Sequence, residues 1–157
     1  MKFEQYKFKF YLNANHAIQI NGHTGQVHPH TWEISIVTIK LNDNFVRFND
    51  IETVVDKMFD QYQDKFMNEI EPFNMINPTL ENISEVFKDK VNDILKNSGW
   101  KLLQIEVSET PARSYVISLS DFDEFMPQAP NTAGMDSVDK EKMITDIINE
   151  INHSKTN

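Results

Sequence analysis

The hydrophobic pattern of this chain changes period twice, and that change limits the fold more than any other feature. From Phe3 to Leu12 the apolar side chains Tyr6, Phe8, Phe10 and Leu12 recur at every second position, with lysines and Tyr11 between them. Alternation of this kind belongs to a strand with one buried face. Thr31 to Leu41 alternates in the same way, with Trp32, Ile34 and Ile36 on one side and Glu33 and Ser35 on the other. After a turn at Asn42-Asp43-Asn44 and the short segment Phe45 to Phe48, the spacing becomes helical: Ile51, Val54, Val55, Met58, Phe59 and Tyr62 fall on one stripe. Asn49 and Glu52 read as the capping box that starts this helix. A loop over Glu69 to Asn77 leads to Pro78-Thr79, which opens a second helix with Leu80, Ile83, Phe87, Val91 and Ile94 on its apolar face. Thr79 is the expected N-cap, and Gly99 follows the expected end. The period returns to two over Lys101 to Glu109, and Thr110-Pro111 turns the chain into a last strand, Arg113 to Leu119. The expected order is β-β-α-α-β-β, an α+β domain over residues 1–120.

Between the first two strands, Asn13 to Gly25 shows little periodicity and carries the turn pairs Asn21-Gly22 and Thr24-Gly25. It reads as a functional loop. Beyond the domain, residues 121–137 read as a linker, and 138–153 carry Val138, Met143, Ile144, Ile147, Ile148 and Ile151 at helical spacing. That C-terminal amphipathic helix either docks on its own domain or oligomer, or binds a protein partner.

Composition removes several function classes. The 157 residues carry 15 basic against 24 acidic side chains, a net charge of -9, which disfavours nucleic acid or an anionic membrane as the main partner. The absence of cysteine excludes disulfides, thiolate metal sites and a thiol nucleophile. No segment approaches the ~18 apolar residues of a membrane span, and the N-terminus lacks a signal-peptide pattern. The expected location is cytoplasmic.

Four of the five histidines, His16, His23, His28 and His30, lie in the first 30 residues. On an extended chain His28 and His30 point to one face, and His16 comes from the neighbouring strand. Three neutral imidazoles with an open fourth position describe a catalytic zinc site, with ligand distances of about 2.0–2.1 Å. Two histidines on a strand face are also common without a metal, and a three-histidine site accepts iron, nickel or cobalt as well.

The surrounding motifs resemble the 6-pyruvoyltetrahydropterin synthase and 6-carboxytetrahydropterin synthase family. Phe10, Ala14 and His16 match its first histidine motif, and His28-Pro29-His30-Thr31-Trp32-Glu33 matches its H-G-H and following strand. Phe45 to Ile51 matches the segment opening the first helix, with Arg47 in place of aspartate. Met67-Asn68 echoes leucine-asparagine, Pro78-Thr79-Leu80-Glu81-Asn82 is the P-T-x-E-N motif, and Val107-Ser108-Glu109-Thr110 is the strand ending in glutamate-threonine. The resemblance covers residues 1 to about 119. It implies a T-fold: a four-stranded antiparallel sheet with two helices on one face, forming trimers or hexamers with sites at subunit boundaries. It implies zinc held by His16, His28 and His30, and a pterin anchored by Glu109 through bidentate hydrogen bonds to its guanidine-like edge.

The resemblance breaks at the residues that move protons. Thr24 stands where the family has its catalytic cysteine, and Gln63-Asp64 where it has aspartate-histidine. His23 and Asp64 are the candidates for a substitute acid/base pair. Pro29 replaces the glycine of H-G-H, which an extended strand entry tolerates. Two functions stay open. One is a zinc-dependent carbon-oxygen lyase acting on 7,8-dihydroneopterin triphosphate or a related pterin. The other is a non-catalytic T-fold protein that binds a pterin- or purine-like ligand and signals through its C-terminal helix.

Overall fold

The computed structural model describes residues 4–43, 45 and 47–119. The expected linker over 121–137 and helix over 138–153 lie outside the described residues, as does Phe3. Among the described residues ten elements follow one another: β1 (Tyr6–His16), β2 (Gln19–Ile20), β3 (His23–Thr24), β4 (His28–Lys40), α1 (Phe48–Phe59), β5 (Lys65–Phe66), a 3-10 turn (Met67–Glu69), α2 (Leu80–Asn97), β6 (Trp100–Thr110) and β7 (Arg113–Ser118).

The main sheet has the order β5-β1-β4-β6-β7. Four long strands pair antiparallel, as the sequence suggests, and a fifth, β5, adds a two-residue parallel pairing of Lys65 and Phe66 with Ala14 and Asn15. The sheet therefore has five strands rather than four. A two-residue strand is too short to carry any periodicity, so sequence pattern cannot announce it. The expected loop after the first strand is also more ordered. β1 continues through Ala14 to His16, and β2 and β3 pair as a small separate ribbon around Asn21 and Gly22, both with positive φ.

In β1 the side chains of Phe8, Phe10, Leu12, Ala14 and His16 are all buried while their neighbours are largely exposed. This inward set meets Trp32, Ile34 and Ile36 of β4 and Ile105 and Val107 of β6 in one core, closed by Ile51, Val55 and Phe59 of α1 and Ile83, Phe87, Val91 and Leu95 of α2. Both helices thus cover the same sheet face. Aromatic rings fill the space between them: Phe87 lies 5.0 Å from Phe59 and 5.5 Å from Tyr62, centroid to centroid.

Thr79 caps α2, its hydroxyl accepting from the Asn82 N–H at 3.3 Å. Gly99, beyond the helix end, has φ +74, and a Cβ there would lie 2.8 Å from the Asn42 side chain. At α1 the expected capping box does not form. The cap position is Arg47, and the helix starts at Phe48, whose ring packs 5.4 Å from Tyr6 and 6.0 Å from Phe8. Anchoring Phe48 draws Asn49 into the first turn, where its side chain no longer occupies the capping position. Tyr62, expected on the helix stripe, is buried just beyond the helix end.

Candidate metal and ligand site

The register of β1 on β4 sets His16 opposite His28 and Ala14 opposite His30. Period-two geometry then gathers His16, His28 and His30 at one end of the sheet, on the core side. Their ring centroids lie 4.5, 5.0 and 4.8 Å apart. One nitrogen from each ring falls within 4.8 Å of the others, an arrangement that could hold a metal ion. Trp32, the next inward residue of β4, floors the cluster with its ring edge-on at 5.1 Å from His16 and 5.2 Å from His30.

Hydrogen bonds set the ring tautomers. His16 Nδ1–H donates to the Pro78 carbonyl at 2.8 Å, and His28 Nδ1–H donates to the Gln26 carbonyl at 2.8 Å. In each ring this leaves Nε2 with its lone pair available, the usual way in which an outer hydrogen bond prepares an imidazole for a metal. Among the described residues the buried Nε2 atoms of His16 and His30 have no hydrogen-bond partner. Buried nitrogens without partners cost free energy, and a cation supplies the missing partner. The donor set fits a divalent ion of zinc type. Burial holds the His16 and His30 rings below the ordinary imidazole value of 6.5, although the Pro78 carbonyl pulls His16 upward and the Glu109 carboxylate does so for His30. Neutral rings are the ligating form.

Two clefts meet at His30. One, of about 620 Å³, lies between β4 and the β6–β7 turn and is lined by Tyr11, His30, Glu33, Glu106, Glu109 and Arg113 among others. The second, of about 430 Å³, lies toward β1 and is lined by Asn13, Asn15, Pro29, His30, Thr31 and Asp64. Glu109, one residue before the end of β6, has a side chain only 11% exposed, ion-paired to Arg113 across the turn. Asp64 has φ +59, and its N–H donates to the Asn13 carbonyl at 2.7 Å. His23 is exposed on β3 opposite Ile20 and lines neither cleft. Thr24 is its exposed neighbour, opposite Gln19.

The model of the family described as 6-pyruvoyl tetrahydropterin synthase matches residues 5–119. The chain belongs to that family. Among solved structures it is similar to the 6-pyruvoyl tetrahydropterin synthase of Caenorhabditis elegans, with a TM-score of 0.63 and 14% identity over 74% of this chain and 96% of that one. The enzyme of Plasmodium falciparum is similar with a TM-score of 0.54 and 15% identity, over 72% and 96% of the two chains. An uncharacterized protein of Wolinella succinogenes gives 0.56 and 13%, over 74% and 98%. At such identities the likeness is one of fold. No curated protein matches the chain.

Seen within the family, the motif residues have local reasons. Asn68, the asparagine of Met67-Asn68, accepts from the Ala17 N–H at 2.9 Å and donates to the Ala17 carbonyl at 2.8 Å. Asn82 of the P-T-x-E-N motif donates to the Asn77 carbonyl at 2.9 Å. Arg113 carries no signal in the sequence for its contact with Glu109, and the family motif that contains Pro78 does not announce the contact of its carbonyl with His16. A positive residue after a turn and a proline before a helix are both commonplace.

Proposed function

We propose that the protein binds zinc through His16, His28 and His30 and holds a pterin at Glu109, acting on 7,8-dihydroneopterin triphosphate or a close relative. The observation that carries this reading is the pair of partnerless buried Nε2 atoms within a three-histidine cluster, beside a cleft that contains a nearly covered carboxylate. A zinc ion bound there would supply Lewis-acid chemistry, acidifying a substrate hydroxyl and polarising a developing carbonyl. Trp32 and the Pro78 and Gln26 carbonyls hold the rings in place. Glu109 can accept two hydrogen bonds from the 2-amino and ring N–H edge of a pterin, a pairing that selects guanidine-like heterocycles.

The proton acceptor in this reading is Asp64, which shares a cleft with His30. The αL backbone of Asp64 is of the kind that active sites retain. The Thr24 hydroxyl is a weak base without activation. His23, on the exposed ribbon, would act only through movement of that ribbon. The reading also includes assembly of several copies. In support, β7 has an open edge and β5 covers β1 only at Ala14 and Asn15 among the described residues, so sheets of neighbouring copies can join edge to edge.

A second reading rests on the residues that stand in place of the family's proton carriers, Thr24 and Gln63-Asp64. It is a binding protein without turnover, in which residues 138–153 report ligand occupancy to a partner. The deciding experiment is turnover of 7,8-dihydroneopterin triphosphate by zinc-loaded protein, alongside the His28→Ala/His30→Ala double variant and Asp64→Asn. Product formed by the parent and by neither variant supports the lyase. Metal and pterin binding without product supports the binding protein.

A further inference from the structure

The chain directly after His16 is paired like a strand, but on one side its partner is not a strand. Ile18 and Ile20 face β3 and its continuation: the Ile18 carbonyl accepts from Gly25 N–H at 2.8 Å, and Ile20 stands opposite His23. A Cβ on Gly25 would lie only 3.0 Å from the Ile18 oxygen, so a side chain there would push this pairing apart by a few tenths of an ångström. Ala17 and Gln19 face the other edge. Ala17 exchanges both backbone hydrogen bonds with the Asn68 carboxamide, at 2.9 and 2.8 Å. Gln19 exchanges both with the Asn77 carboxamide, at 2.9 Å each. A carboxamide offers one donor and one acceptor side by side, so each asparagine reproduces one rung of a β-ladder.

These two rungs hold the chain that leads directly out of His16. Asn68 fixes the backbone immediately after it. Asn77 immediately precedes Pro78, whose carbonyl orients His16 Nδ1–H. The Asn77 carbonyl is itself held by Thr79 N–H at 2.8 Å and by the Asn82 side chain at 2.9 Å. The backbone after His16 and the carbonyl that sets its tautomer are thereby tied together through two side chains that hydrogen-bond backbone and line neither cleft.

We propose that Asn68 and Asn77 are positioning residues for the metal site, a clasp that holds His16 Nε2 where His28 and His30 can share an ion with it. This rests on the reading of the three histidines as metal ligands. Groups that hydrogen-bond a ligating imidazole change metal affinity by roughly 10- to 100-fold, and the clasp acts through one of them, the Pro78 carbonyl.

The test measures zinc affinity of the full-length protein by chelator competition, with cobalt(II) absorption as a reporter of ligand geometry, for the parent, Asn68→Ala and Asn77→Ala. Urea unfolding of the metal-free proteins reads the structural cost separately. The expected result is a zinc dissociation constant raised by about 10- to 100-fold in folded variants, with an altered cobalt spectrum. Asn68→Asp and Asn77→Asp keep the accepting oxygen but lose the donor, and should fall between parent and alanine. Folded variants whose zinc affinity stays within about twofold of the parent, with the parent's cobalt spectrum, would overturn the proposal whatever their urea midpoints. Failure of all four variants to fold would overturn it too, because the clasp would then serve the fold rather than the ring. A parent that binds no metal overturns the metal reading itself, which is a different result from a parent and variants that bind alike.

Discussion

The guanidinium of Arg113 closes on the carboxylate of Glu109 across the β6–β7 turn, the acid 11% exposed and the base 66% exposed. A guanidinium presents the same paired N–H edge as the heterocycle that Glu109 is proposed to bind. On that proposal the protein carries its own occupant for the anchor, and a pterin would have to displace it. Replacing Arg113 by Ala should tighten binding of a neutral pterin such as neopterin by a factor of about 3–10, the range of a partly exposed ion pair and its hydrogen bond. Calorimetric titration of the zinc-loaded protein reads the change. Weaker binding in Arg113→Ala would mean that the arginine contacts the ligand instead of competing with it.

Metal binding should appear as stability. With free zinc at 100 times its dissociation constant, the ion adds about 2.7 kcal/mol to a protein that binds it only when folded. The His28→Ala/His30→Ala variant, left with His16 alone in the cluster, should lose that increment and its metal content together. Thermal melts with and without zinc, paired with elemental analysis, check this. A zinc-dependent shift that survives in the double variant would place the metal elsewhere.

Asp64 has φ +59, where a Cβ costs roughly 1–2 kcal/mol unless the side chain is Asn or Asp, which tolerate it better. Asp64→Ala should therefore lower the unfolding free energy by about that amount, while Asp64→Gly should stay within about 1 kcal/mol of the parent. Asp64→Asn should leave stability nearly unchanged. Urea midpoints establish the order. The asparagine variant is then the right one for reading chemistry, because it removes the proposed base and keeps the backbone.

The inward side of the sheet was legible because its residues are large and apolar: Phe8, Phe10, Leu12, Trp32, Ile34 and Ile36 announce their face at every second position. The same face continues through Ala14 to His16, yet a small residue and a polar one carry no hydrophobic signal, so the end of β1 reads as loop. The three histidines were legible as a group since His28 and His30 share a strand face and a family motif. What holds them was not. Asn68 and Asn77 reach Ala17 and Gln19 across 51 and 58 positions, and long-range pairing of a side chain with backbone leaves no period to read. The start of α1 was misread because asparagine is a good cap anywhere, whereas the packing of Phe48 on Tyr6 and Phe8 decides where this helix begins.

Tyr62 gives a pH dependence whose sign can be worked out. Its side chain is fully buried with no hydrogen-bond partner for the hydroxyl, and burial pushes its pKa from 10.0 up to about 12. In the unfolded chain the phenol ionises near its ordinary value, while in the folded protein it stays neutral. The folded protein is thus unaffected below pH 10 and loses stability as the pH rises toward 12, by up to about 2.7 kcal/mol for two pKa units. Tyr62→Phe has nothing to ionise, and it removes a buried hydroxyl that lacks a partner, so at pH 8 it should be at least as stable as the parent. Above pH 10 the variant should gain on the parent with each step in pH. Denaturant unfolding of both proteins from pH 8 to 11.5 measures the difference directly, with every other tyrosine and lysine common to the two. A difference that stays constant across that range would mean that the Tyr62 hydroxyl titrates alike in the folded and unfolded chains, and that water reaches it in the folded protein.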